Sequence, residues 1–211
     1  MPKSSPTESA SGTILGKEGK RQPPPRRLPN SSTRTREHLL PDEVDRMLKA
    51  TRKNRNATRD YALLLVMFRR ALRVTEACRL RWADVDLPGE RIFIKRLKSG
   101  VDSTQPLSGI ELRYLKQLRR KNPNSSWVFL SERGSPMSRR TVHAIVAKAG
   151  RDAKIGFPVH PHNLRHALGY YMSEKGVPTR SLAGYMGHRN LNNTAIYAAL
   201  SSNHFQDWWE D

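Results

Sequence analysis

His162-Asn163-Leu164-Arg165-His166, followed by Gly187-His188 and then Tyr197, is the stretch that decides how this 211-residue chain is read. Upstream stand Arg73, in Ala71-Leu72-Arg73-Val74-Thr75-Glu76, and Lys98, in Leu97-Lys98-Ser99-Gly100. Two arginines, a lysine, two histidines and a tyrosine in this order suit chemistry on a phosphodiester. Guanidinium forks bind non-bridging phosphate oxygens bidentately and stay charged at any working pH. A tyrosine hydroxyl can serve as a covalent nucleophile, and histidine and lysine move protons near neutrality.

Moving outward, the bulk of the chain agrees. Its formal net charge is +19, with 38 Lys and Arg against 19 Asp and Glu. Such a balance points to a polyanion, either nucleic acid or an anionic membrane surface. The longest apolar stretch, Tyr61 to Phe68, ends at Arg69-Arg70, so no membrane-spanning helix is expected. The N-terminus lacks the apolar core of a secretory signal. Cys78 is the only cysteine, so no intrachain disulfide forms, which suits a reducing cytoplasm; it reads as a small buried helix residue.

Residues 1–37 are rich in Ser, Pro, Gly, Lys and Arg and carry eight basic residues against three acidic ones. Burial cannot offset the ordering entropy of such a segment, so a disordered basic arm is expected, either a solvated tail or a phosphate-tracking strap. Pro41-Asp42-Glu43 opens an amphipathic helix to about Lys53. Residues 57–71 read as an apolar helix that sends Leu63, Leu64, Val66, Met67 and Phe68 to a core. A short helix over 75–80 follows Arg73. Arg91 to Lys95 alternates as a strand, Lys98-Ser99-Gly100 is a turn, and 102–107 returns as a second strand. Residues 109–121 are helical, and Trp127-Val128-Phe129-Leu130 is expected as a third strand. Helices then cover about 138–153, 161–175, 179–185 and 192–200, with Ser138 as an N-cap and Gly176 and Gly187 as stops. The expected architecture is mostly α (α+β), a helical bundle with a small three-stranded antiparallel sheet.

The six groups in this order and spacing resemble the tyrosine recombinase (phage integrase) family over roughly residues 38 to 200. The family pattern runs Gly-Leu-Arg-x-x-Glu, a hairpin lysine, His-x-Leu-Arg-His, Leu-Gly-His, and a tyrosine nine residues after that histidine. Here Tyr197 stands nine residues after His188, Ala71 replaces the glycine and Met186 the leucine. Glu76-Ala77-Cys78-Arg79-Leu80-Arg81, His160-Pro161-His162 and Gly187-His188-Arg189-Asn190 look like those of the short recombinases that invert the fimbrial promoter switch. Only about 37 residues precede the first helix, so the helical core-binding domain of typical members is expected to be missing, as in that group.

The resemblance implies a site-specific recombinase that cuts and rejoins duplex DNA through a 3′-phosphotyrosine, by inversion, integration or excision. It implies Tyr197 as nucleophile and His162 as its proton acceptor. Arg73 and Arg165 would clamp the non-bridging oxygens, His188 would bond the phosphate, and Lys98 would protonate the leaving 5′-oxygen, with Lys95 and Arg96 as rivals. Glu76 would orient a cation. No cofactor or metal is implied: His162 and His166 have a metal-ligand spacing, but Arg165 beside a zinc would repel it. The implied partners are duplex DNA, a homotetramer on two sites and accessory DNA-bending proteins in the bacterial cytoplasm, with no membrane. The aromatic tail, residues 201–211, would dock on a neighbouring protomer or on its own domain. Two other readings share the residue set: a type IB topoisomerase-like nicking-closing enzyme, and a DNA-binding regulator without activity.

Overall fold

The structure is a computed structural model, and it describes residues 38–97 and 100–198. Helix α1 (Pro41–Thr51) begins at a proline with Asp42 and Glu43 in its first turn. Helix α2 (Ala57–Arg69) buries every residue from Asp60 to Met67, so it is covered on all sides, by α1, α4 and α6 among others. A short α3 (Val74–Arg79) follows, then a single 3-10 turn over Trp82–Asp84.

A three-stranded antiparallel sheet runs β1 (Val85–Asp86), β2 (Arg91–Ile94) and β3 (Ser103–Pro106), in that order. Ile92 and Ile94 face the core while Arg91 and Phe93 face out, as the alternation requires. The β2–β3 register runs from Arg91↔Pro106 to Ile94↔Ser103, which puts residues 95–97 and 100–102 toward the hairpin tip.

The remainder is helical: α4 (Gly109–Lys121), α5 (Arg139–Asp152), α6 (Pro161–Glu174), α7 (Thr179–Met186) and α8 (Asn192–Ala198). Ser138 caps α5 by accepting from the Thr141 amide, and Gly187 ends α7 in the left-handed region with φ 71°. The main core spans α1 to α6 and the sheet; a smaller one joins α6, α7 and α8 through Leu168, Leu182, Met186 and Tyr197. Cys78 is buried.

One expected element is different. Residues 127–130 form no strand, and the third strand is Val85–Asp86. The 126–137 segment spends its backbone groups singly: Ser126 O accepts from Trp82 N, Val128 N donates to Leu80 O, and Met137 N donates to Phe129 O. Two isolated bridges, Arg81↔Trp127 and Leu130↔Pro136, are all the pairing it has. Residues 1–37 and 201–211, the expected arm and tail, lie outside the described residues, as do Lys98 and Ser99. No helix among the described residues is long and apolar enough to cross a membrane.

Candidate active site

The site is built around a tight turn between α2 and α3. Ala71, where the resemblance expects glycine, sits in the left-handed region at φ 49°. An alanine there carries about 1–2 kcal/mol of strain. The turn aims the Ala71 carbonyl inward, where it accepts from Nη1 of both Arg96 and Arg165. Arg165 also donates to the Met186 carbonyl at 2.7 Å and is only 1% exposed. It is held by backbone on two sides and has no carboxylate partner among the described residues.

Glu76 is the anionic hub. Its carboxylate accepts from the Arg73 amide (2.9 Å), Arg73 Nη1 (2.7 Å), Arg96 Nη1 (3.0 Å) and the Leu97 amide (3.2 Å). Burial alone would raise its pKa; the hydrogen bonds from Arg73 and the charge of Arg96 hold it below the usual carboxylate range. Arg73 is tied on one side only and remains partly exposed, so the rest of its fork faces solvent. The sequence assigned Glu76 to orienting a cation; it orients two.

His188 follows the left-handed Gly187. Its Nδ1 lies 2.8 Å from the Thr194 hydroxyl of α8, which leaves Nε2 for a ligand. Helix α6 sets His162 and His166 one turn apart with their rings edge to face at 4.2 Å. His162 stays exposed and lines a cleft of about 620 Å³ with Arg73, Arg139, His143 and His160. His166 lies deeper. Its Nδ1 is 3.0 Å from the Tyr197 hydroxyl, so His166 and not His162 is the partner of the phenol in this structure. Tyr197 is 2% exposed, with Tyr170 edge-on at 5.1 Å. Among the described residues, no group of three His, Cys, Asp or Glu is placed to hold a metal.

The electrostatics describe a hole for an anion. Burial, then the charges of Arg73 and Arg96, bring Arg165 down to about 10. His188 falls to about 4 through burial and the charges of Arg165, Arg73 and Arg96. His162 and His166 also fall to about 4, burial leading in both; His162, at the exposed mouth, is the most screened. Burial pushes Tyr197 up to about 12, opposed by Arg165. Among the described residues Glu76 is the carboxylate paired within this set, and it already accepts from Arg73, Arg96 and the Leu97 amide.

The structure thus brings Arg73, His162, Arg165, His188 and Tyr197 to one place, and the hairpin that carries Lys98 leads into it. Sequence reasoning missed two members. His166 was weighed only as half of a metal spacing. Arg96 stood only as a rival to Lys98, since nothing in a chain with 38 Lys and Arg marks it as buried.

The pattern of the phage integrase family matches residues 37–204. The chain belongs to that family. It is a tyrosine-type site-specific recombinase. It is 37% identical over 185 residues to the type 1 fimbriae regulatory protein FimB of Escherichia coli K12, covering 85% of this chain and 92% of that protein. The type 1 fimbriae regulatory protein FimE of the same strain is 35% identical over 181 residues, 83% of this recombinase and 91% of FimE. Among solved structures, XerA recombinase superposes with a TM-score of 0.70 at 25% identity, over 81% of this chain and 61% of XerA. XerH bound to its palindromic difH substrate, in a post-cleavage complex, shares the fold at the same TM-score, 0.70, with 21% identity, over 81% of this recombinase and 52% of XerH.

Proposed function

We propose that this recombinase cuts and rejoins duplex DNA with Tyr197 as the nucleophile, and that its biological outcome is inversion of a DNA segment. The observation that carries the chemistry is the grouping of Arg73, Arg165 and His188 within electrostatic reach of one another, with Arg73 opening on the cleft. A phosphodiester supplies the missing negative charge. The Tyr197 oxygen bonds to phosphorus, the phenolic proton passes to His162, and the 5′-oxygen leaves with a proton from Lys98. The product is a 3′-phosphotyrosine and a free 5′-hydroxyl, and the reverse attack rejoins a strand. One phosphodiester replaces another of similar energy, so no cofactor enters the balance. Arg73 and Arg165 offset the charge that grows on the pentacoordinate phosphorus. Inversion is supported by likeness to FimB and FimE along nearly their whole lengths.

Exchange between two sites uses four tyrosines, and each chain brings one, so the active species is a homotetramer on duplex DNA, aided by DNA-bending proteins. Leu191 and Ile196, 49% and 45% exposed, offer apolar surface for that assembly. The test is a nicked suicide duplex, selected from a random-sequence library by the adduct the wild-type chain forms. Tyr197→Phe should form no adduct that survives SDS; an adduct in that variant overturns the assignment. A plasmid with two selected sites in inverted orientation should invert, and loss of supercoils without inversion would favour a nicking-closing enzyme.

A further inference from the structure

Arg96 is a buried charge that the proposed chemistry leaves unused. Its side chain is fully enclosed, and its two amino groups make four contacts on three segments. Nη1 donates to Glu76 Oε2 at 3.0 Å and to the Ala71 carbonyl at 3.2 Å; Nη2 donates to the Arg70 carbonyl at 3.1 Å and to the Tyr185 carbonyl at 2.6 Å. The Arg96 amide donates to Asp102 at 2.7 Å, closing the base of the β2–β3 tip. Its stem fills the space over Gly187, where a Cβ would fall 2.6 Å from Arg96 Cγ and 2.7 Å from Nε. Nε itself is buried without a partner among the described residues. A chain accepts a buried, incompletely satisfied cation only where other interactions hold it there.

From this we infer that Arg96 is a positioning residue for the phosphate-binding groups. Through Glu76 it fixes the tethered side of the Arg73 fork. Through Tyr185 and Gly187 it fixes the corner from which His188 points. Through Ala71 it shares an acceptor with Arg165. It thereby sets the α2–α3 turn, the hairpin and the end of α7 at one separation; Arg73 hangs on the first of these and His188 on the last, while Arg165 of α6 meets them through the shared Ala71 carbonyl. A lysine has one point of charge and lacks the fork, so it cannot reach four acceptors on three sides. Burial lowers the pKa of Arg96 and Glu76 offsets part of that, as its enclosure requires.

This inference rests on reading Arg73 and His188 as phosphate ligands, and the experiment separates the two. Wild type, Arg96→Lys, Gly187→Ala and Arg73→Ala are compared on the selected suicide duplex, with the scissile linkage either a phosphate or a methylphosphonate. The methylphosphonate lacks one charged oxygen and so asks less of aligned guanidinium groups. Arg96→Lys should keep its melting transition and bind DNA within about 3-fold of wild type at fixed salt. It should form the adduct about 10-fold or more slowly on phosphate, and lose about 3-fold or less on methylphosphonate. A role confined to holding the fold slows both substrates equally, and that result, or no loss on either, overturns the inference. If Arg96→Lys does not fold, Gly187→Ala decides, since its methyl displaces the Arg96 stem: the same substrate-dependent loss supports the inference and wild-type rates refute it. Arg73→Ala with undiminished cleavage would instead show that the site reading is at fault.

Discussion

The Tyr197 hydroxyl lies 3.0 Å from Nδ1 of His166, with the phenol ring pressed against the backbone at Gly169. Burial raises the phenol to about 12 and lowers the imidazole to about 4, so the proton stays on oxygen. This is a buried resting seat for the proposed nucleophile. In the proposed reaction the ring leaves this position to meet a phosphate at the cleft mouth, which His162 and Arg73 line. On the proposed reaction His166 holds the phenol at rest, and His162 receives its proton when it attacks.

His162→Ala should therefore slow adduct formation by roughly 100-fold, the usual scale for losing a general base. His166→Ala should slow it far less. It should instead lower stability by about 1–3 kcal/mol, because the buried phenol loses its partner. Single-turnover cleavage and urea unfolding of both variants check this. A larger catalytic loss for His166 would make His166 the base.

Gly169 admits the ring because it has no Cβ; one built there would fall 2.6 Å from Tyr197 Cζ. Gly169→Ala should destabilise the recombinase by about 1–3 kcal/mol through overpacking. Paired with Tyr197→Ala, which empties the seat, the same methyl should cost much less. A double-mutant cycle by chemical denaturation reads the coupling, and additive costs would place the ring elsewhere in solution.

Arg165, a proposed phosphate ligand, is also a strut, since it satisfies two buried carbonyls. Arg165→Ala should form the adduct on the order of 100-fold more slowly or worse. It should also melt earlier, because the Ala71 and Met186 carbonyls lose a donor. DNA affinity at fixed salt should fall much less, as many other cations contact phosphate. Equal losses in binding and cleavage would contradict a transition-state role.

Acid should weaken the free recombinase before any carboxylate effect. His166 and His188 titrate at about 4 when folded, below the ordinary 6.5 of the unfolded chain. Between those values the unfolded state binds more protons, so stability rises with pH there and is lost as pH falls from 7 toward 4. The midpoint of urea unfolding should drop between pH 7 and pH 5, and His188→Asn should flatten the drop. A bound phosphate reverses the cause, so DNA affinity should rise over the same acidification. A midpoint flat in pH would show that these rings are not desolvated.

Deleting residues 1–37 tests the basic arm. The folded remainder should melt unchanged, and the slope of log affinity against log salt should become shallower by the number of phosphates the arm neutralised. An unchanged slope leaves the arm a passive tail.

The sequence by itself determined the helices and which residues are proposed to react. Period and caps located α1 through α8 within a few residues, because those signals are local. His162, Arg165, His188 and Tyr197 were legible because they hold fixed spacings in one stretch. The third strand was not: the β-rich residues 127–130 were read as a strand, yet Val85–Asp86 has it, since pairing depends on which backbone groups are left free beside β2. Tertiary structure alone decided that the phenol rests on His166, that Ala71 is the acceptor shared by two arginines, and that Arg96 is enclosed while its neighbour Lys95 is exposed. Burial and electrostatic compensation are properties of the surrounding residues, brought together from distant parts of the chain, and no side chain carries them in its own sequence position.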